Sequence, residues 1–265
     1  MPRIVVVIPM FGKEEYTRKC VELTKANYGT GEPIEILVVD DGSPTSFEDS
    51  TINVIRLEKN SGFTAAANAG MLWAQVRNAD YVLQLNNDTE PHPGFLQELL
   101  LVAEANPAIG IAASVRFHPR KLDQPYELCG ADLIRGYQHF VSKEDLAKAP
   151  AVIDCNWIPL CSALMRMDMI REVGIFDKRY RNHCSDSSYC LEAKIRGWKN
   201  VLVTSSVITH HLSVTTSANN VIVDDDQRVF LERLAGLDYA KIMSAMPLDA
   251  QAKTYGKISF EVYQR

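Results

Sequence analysis

The sequence predicts an α/β fold, a mostly parallel sheet flanked by helices. Three observations carry that reading. Short β-branched runs alternate with amphipathic stretches through the first 115 residues. The runs are apolar throughout rather than alternating, as strands covered on both faces are. Clusters of Asp, Asn, Gly and Ser follow two of them, which is where parallel sheets bind ligands.

The elements follow in order. Arg3–Pro9 (RIVVVIP) is the first strand. Residues 13–27 place Tyr16, Cys20, Leu23 and Thr24 at helical spacing among charges. Glu35–Val39 is a second strand, stopped by Asp40-Asp41-Gly42-Ser43-Pro44, and Ile52–Leu57 a third. Thr64–Val76 reads as an Ala-rich helix and Tyr81–Leu85 as the next strand. Pro93–Ala105 is a helix, opened by a proline in its first turn and closed by Asn106-Pro107. Ile109–Val115 is another strand. This rhythm is that of βαβ units. The second half is less regular. Residues 116–152 read as a loop-rich insertion, Asp186–Arg196 as a helix, Val201–Val203 as a strand and Asp224–Ala240 as a helix. No repeat, low-complexity tract or linker interrupts the chain, so one continuous domain over 1–265 is expected.

Composition narrows the class. The chain is 46% hydrophobic and 23% charged, ordinary for a globular protein. A net charge of −5 argues against non-specific nucleic-acid binding, which needs a basic face. The six cysteines include no C-x-x-C pair, so reduced thiols are expected rather than a zinc or redox site. No run approaches the roughly 20 apolar residues of a membrane span. The first residues make a poor signal peptide, and a cytoplasmic protein is the expectation.

Three clusters invite chemistry. Asp40, Asp41 and Ser43 end a strand; they are either a turn or carboxylates that accept an N–H from a nucleobase. Asn60-Ser61-Gly62-Phe63 precedes the Ala-rich helix. Close packing explains its alanines, but Asn68 and Gly70 both weaken a helix interior. Tyr81–Leu85 runs into Asn86-Asn87-Asp88, which is either another turn or a cation site. Mg²⁺ or Mn²⁺ takes oxygen ligands, often one or two carboxylates together with substrate phosphates.

Seven segments in order, VVVIPMFG, ILVVDDGS, NSGFTAAANAG, LQLNNDT, VGIFDKRY, SDSSYCLEAKIRGW and THHLSV, resemble family 2 glycosyltransferases. The likeness covers roughly residues 3–214, and the rhamnosyltransferase-like members are the most similar subgroup. It implies a GT-A fold with a Rossmann-like sheet. Residues 1–115 would form the nucleotide-sugar half, 116–214 a loop-rich acceptor and catalytic half, and 215–265 a helical extension. It also implies roles. Asp41, with Asp40 beside it, falls where the family contacts the base of the sugar nucleotide. Pro9, Ser43, Gly62, Asn68, Asn86 and Asn87 fall among the nucleotide-binding pieces. Asp88 falls at the second acid of the family's D-x-D motif, a metal ligand, with Asn86 replacing the first. Asp186 falls at the catalytic base. His210 or His211 falls at a further metal or diphosphate contact, and Trp157 through Arg166 at the donor and acceptor pocket. Ser185, Ser188 and Glu192 depart from the family's Glu, Asp and Arg, so the acceptor end is altered.

The activity this implies is a metal-dependent inverting transfer from a UDP- or dTDP-sugar, with Mn²⁺ or Mg²⁺ as cofactor, to a glycan or another hydroxyl acceptor. A nucleic-acid acceptor stays open, as does the oligomeric state. A nucleotidyltransferase also fits an acidic α/β site, although MFGKEEYTRK has only one glycine for a triphosphate loop. A sugar-nucleotide or glycan-binding module that has lost catalysis is the third reading.

Overall fold

A computed structural model describes residues 2–31, 33–119, 121–125, 129–132, 136–138, 143–211 and 220–237. Its first half follows the expected rhythm. Strands β1 (Ile4–Met10), β2 (Glu35–Asp40), β3 (Asn53–Arg56) and β4 (Tyr81–Leu85) alternate with helices α1 (Glu14–Asn27) and α2 (Phe63–Val76). They pair in parallel in the order β4-β1-β2-β3, which brings Met10 and Asp40 together at one end. The short strand β5 (Thr89–Pro91), helix α3 (Phe95–Ala105) and strand β6 (Ile109–His118) complete this half.

The apolar runs divide between two faces, as side chains alternate along a strand. Val5, Val7, Leu37, Val39 and Val82 meet Ala66, Ala67 and Met71 of α2. Ile4, Val6, Ile8, Val38, Leu83 and Leu85 meet Cys20 and Val21 of α1 and Phe95, Leu96 and Leu99 of α3. Gly70 explains the small residues of α2. A Cβ there would stand 2.1 Å from Val7 Cγ1, so α2 lies closer to β1 than a larger side chain allows.

The second half corrects two expectations. The stretch expected to be loop-rich holds strands β7 (Lys121–Pro125), β8 (Cys129–Asp132) and β9 (Gly136–Gln138) and helix α4 (Lys143–Lys148), with β8 and β9 forming a separate pair. The main sheet is also mixed rather than mostly parallel. Beyond β10 (Val152–Cys155), strand β11 (Ser162–Arg166) runs antiparallel between β4 and β6. The strand expected at Val201–Val203 extends over twelve residues as β12 (Lys199–His210). β12 pairs in parallel with β6 and bends at a register shift between Val203 and Val207. Its far end then pairs with β5. That bend carries His210 to the end of β4. Helices α5 (Met167–Val173), α6 (Ser185–Ile195) and α7 (Asn220–Ala235) follow the second half of the sheet in sequence or flank it. Helix α7 begins and ends four to five residues earlier than its sequence pattern indicates. The expected extension over 215–265 lies outside the described residues except for α7 and the two residues after it.

Candidate functional site

The carboxyl ends of β1, β2 and β4 gather the sequence-predicted acids. Asp40, the last residue of β2, is fully buried. Its Oδ1 accepts the Ser43 N–H at 2.8 Å, and its Oδ2 accepts the Phe47 N–H at 3.3 Å and a bond from Arg56. Burial opposes its charge, but the bonds from Ser43, Phe47 and Arg56 outweigh it and hold the carboxyl below the ordinary range. Asp40 therefore closes the turn, as the structural reading had it. Ser43 Oγ accepts the Gly12 N–H at 2.8 Å and ties that turn to the end of β1. Pro9 lies buried beside it, paired with Val39.

Asp41 faces another way. Its Oδ1 accepts the Ser61 N–H at 2.8 Å and its Oδ2 the Gly62 N–H at 2.7 Å. Each carboxylate oxygen has two lone pairs, so capacity for a further donor remains. Desolvation is the largest influence on Asp41 and pushes its carboxyl up, against the pull of the Ser61 and Gly62 N–H groups. Backbone contact makes this corner tight. A Cβ at Gly42 would lie 2.5–2.8 Å from the Lys59–Asn60 backbone.

At the end of β4, Asp88 Oδ1 lies 3.1 Å from His210 Nε2, both side chains being nearly buried. Asn86 Nδ2 stands 3.5 Å from the same ring nitrogen, and Asn86 Oδ1 is buried with no hydrogen-bond partner in the protein. Burial opposes the charged imidazole, yet Cys161 and Asp88 raise the His210 pKa to about 9. His211 is turned aside. Its Nε2 meets Glu90 Oε1 at 2.8 Å and its ring packs edge-on against Tyr16 at 5.1 Å. Asn87 is also engaged elsewhere, donating to Thr17 Oγ1 at 3.0 Å.

These residues fit a divalent cation. Two ligands each about 2.1 Å from one octahedral ion, at right angles, stand about 3.0 Å apart. Asp88 Oδ1 and His210 Nε2 are separated by 3.1 Å, and the unsatisfied Asn86 oxygen is nearby. Among the described residues no group of three His, Cys, Asp or Glu side chains converges to hold a metal. The remaining positions would thus fall to ligand oxygens and water, the habit of Mg²⁺-type ions at phosphates.

Asp186 lies in the first turn of α6, part-buried, with its Oδ1 accepting the Ser187 N–H at 2.8 Å. Desolvation dominates and raises its carboxyl above the ordinary 3.8; Ser187 and the Arg116 guanidinium pull the other way. Arg116 and His210 lie on the paired strands β6 and β12, near the ends that carry the site. Trp157 is buried in the core on the α2 side of the sheet. Two departures from the family pattern have local explanations. Glu192 accepts bonds from Arg196 at 2.7 Å and Arg233 at 2.6 Å, which docks α6 on α7. Ser188 is buried within α6, where an ionised aspartate would have to be desolvated.

Two expected site residues are not brought here. Arg166 pairs with Tyr81 at the opposite, amino-terminal end of β4. Its guanidinium donates to Ile109 O at 3.1 Å and Ala103 O at 2.5 Å and lies 5.0 Å over the Tyr81 ring. It belongs to the base of the sheet because β11 runs antiparallel and carries its last residue away from the site. Asn68 is committed to the backbone of Phe176 by two hydrogen bonds. Sequence reasoning also missed Arg116, Arg181, Asn182 and Asp226, whose contacts span tens to more than a hundred residues of chain and leave no local signature.

Known proteins share this fold. A GalNAc-T7 crystal structure with UDP, GalNAc and Mn²⁺ superposes with a TM-score of 0.64 at 13% identity, over 79% of this chain and 44% of that one. S. aureus TarS 1-349 gives 0.53 at 13% identity, over 78% and 60%. These likenesses show a fold of GT-A type. In sequence, Glycosyltransferase AglE of Haloferax volcanii is 20% identical over 208 residues, 72% of this chain and 64% of that protein. The chain thus spans under two thirds of that relative's length. Residues 5–167 match the model for glycosyl transferase family 2, and the chain belongs to that family.

Proposed function

We propose that this chain is a metal-dependent inverting glycosyltransferase of the rhamnosyltransferase-like type. It would move a hexosyl group from a UDP- or dTDP-sugar to an acceptor hydroxyl. The observation that carries the reading is the 3.1 Å approach of Asp88 and His210 at the end of β4, with Asp41 at the neighbouring strand end. A uracil or thymine ring presents one imide N–H, and Asp41 retains acceptor capacity for it. Asp88 and His210 would hold Mn²⁺ or Mg²⁺, with Asn86 beside them. A bound divalent ion supplies charge stabilisation for the leaving diphosphate.

Asp186 serves as general base. It takes the proton of the acceptor hydroxyl as that oxygen bonds to the anomeric carbon, while the bond from that carbon to the diphosphate breaks. The nucleoside diphosphate leaves with the electron pair, and the anomeric configuration inverts. The partly desolvated carboxyl of Asp186 is a stronger base than an exposed aspartate, and the Arg116 guanidinium opposes that rise by favouring the ionised form. Residues of the second half beyond the donor ends of β1, β2 and β4 receive a glycan or other hydroxyl compound. Among the described residues no helix is long and apolar enough to cross a membrane.

The test is product analysis. Incubation with UDP- and dTDP-sugars, with and without Mn²⁺, should release nucleoside diphosphate in the presence of metal. Release of pyrophosphate from a nucleoside triphosphate and a sugar phosphate would instead assign a nucleotidyltransferase.

A further inference from the structure

Asp226 of α7 is 2% exposed, and its carboxylate is spent on three consecutive backbone amides. Its Oδ1 accepts the Arg181 N–H at 2.8 Å, and its Oδ2 accepts those of Asn182 at 2.9 Å and His183 at 2.7 Å. Hydrogen bonds to an ionised carboxylate are roughly twice as strong as neutral ones. Residues 181–183 belong to no helix or strand, so hydrogen bonds such as these fix their course. Asp186 lies three residues beyond, in the first turn of α6.

The same segment grips the donor side. Asn182 Oδ1 accepts the Phe63 N–H at 2.9 Å, and Arg181 O accepts the Thr64 N–H at 3.0 Å. The Arg181 guanidinium donates to Asn60 Oδ1 at 2.8 Å. Between these anchors, the Ser61 and Gly62 N–H groups donate to Asp41. A Cβ at Gly62 would lie 2.6 Å from Arg181 O, so the two segments touch without slack. Residues 60–64, which lead into α2 and form its start, are therefore held by Asp41 on one side and by 181–182 on the other.

We propose that Asp226 is a positioning residue. Through segment 181–183 it fixes the donor-side segment 60–64 and the Asp186-bearing turn of α6 as one unit, so donor binding at Asp41 and placement of the base are coupled. The catalytic half of this inference rests on the transferase reading; the mechanical half does not. Asparagine at this position keeps the shape, but it turns an NH₂ toward an N–H donor and removes the charge.

Two measurements on the full chain test it. The first is hydrogen–deuterium exchange of Asp226→Asn against the wild type. Amides in both 181–183 and 61–64 should exchange faster, with β1 and β4 unchanged. Unchanged protection at 61–64 overturns the proposal. If Asp226→Asn does not fold, Asn182→Ala cuts the same link from the donor side, and unchanged exchange at 61–64 in that variant is equally decisive. The second is steady-state kinetics with the donor that the wild type accepts. Donor KM should rise and kcat fall together in Asp226→Asn, and its effect on donor affinity should fail to multiply with that of Asp41→Asn by about tenfold, as within one bonded network. A purely structural residue would lower the active fraction and leave KM alone; that result, or multiplicative effects, overturns the coupling. If the wild type turns over no sugar nucleotide, the transferase reading fails and exchange alone decides whether Asp226 links the two segments.

Discussion

Asn68 and Phe176 form a reciprocal pair of hydrogen bonds across 108 residues of chain: Asn68 Nδ2 donates to Phe176 O at 2.9 Å, and Phe176 N–H donates to Asn68 Oδ1 at 2.8 Å. The asparagine thereby mimics a strand partner and clips α2 of the first half to the loop between α5 and α6. An amide in the interior of a helix is unfavourable by propensity, and this contact explains its presence.

Asn68→Ala should therefore weaken the fold rather than the donor site. Two buried backbone groups lose their partner, at about 1–3 kcal/mol for each orphaned group. Urea unfolding should show a lower midpoint with an unchanged slope, while nucleotide affinity measured well below that midpoint stays at the wild-type value. A loss of affinity without a loss of stability would restore Asn68 to the nucleotide site.

The two adjacent histidines should separate cleanly. Asp88→Ala and His210→Ala remove the pair at the end of β4 and should abolish any Mn²⁺-dependent rise in melting temperature with UDP or dTDP. His211→Ala should retain it, because His211 is occupied by Glu90. A ligand at about 100 times its Kd adds roughly 2.7 kcal/mol, so the lost shift is several degrees. There is a pH signature too. A proton on His210, with its pKa at about 9, competes with the metal. Apparent Mn²⁺ affinity should thus climb by up to about tenfold per pH unit between pH 6 and 8. A flat profile would remove His210 from the metal site.

Much of the first half was legible because its signals are local. Uniform apolar runs gave β1, β2 and β4, and the polar residues after them marked the binding end. Asp88 stands out from its own neighbours only as a turn residue or a cation ligand, and the family resemblance favours the second. Its partner His210 could be narrowed only to two histidines, because the choice depends on the register shift that bends β12. The second half resisted for the same physical reason. β11 is a five-residue strand whose antiparallel insertion is decided by its neighbours on both sides, and nothing in SALMR states that direction. Arg166 was misplaced as a consequence. Asp226 stands in an acidic run, Asp224-Asp225-Asp226, that reads as a solvated helix face; its burial comes from a loop 43–45 residues upstream.

Gly62 should be intolerant of any side chain. Its φ is +93°, and a Cβ would stand 2.5 Å from Arg181 Cγ and 2.6 Å from Arg181 O. Backbone strain alone costs about 1–3 kcal/mol, and the second contact is with main chain that cannot rotate away. Gly31 provides the control, with φ of +72° and open space around it. Gly62→Ala should lose more stability than Gly31→Ala and should also weaken nucleotide binding, since its N–H is one of the two held by Asp41. Equal losses in the two variants would mean that strain, not the contact with Arg181, is what excludes a side chain.

A general base at Asp186 sets the acid limb of the pH profile. Protonation of Asp186 removes the base, so kcat must fall as pH drops through its pKa. Burial raises that pKa above the ordinary 3.8, which puts the acid limb of the kcat profile above that of an exposed aspartate. Arg116 lowers the same pKa, so Arg116→Met should move the limb further upward while leaving the plateau at high pH near the wild-type value. Asp186→Asn should keep nucleotide and Mn²⁺ binding and lose about 100- to 10,000-fold in kcat, the usual contribution of a general base. Full transfer by Asp186→Asn, or an acid limb that ignores Arg116→Met, would place the base elsewhere in the second half.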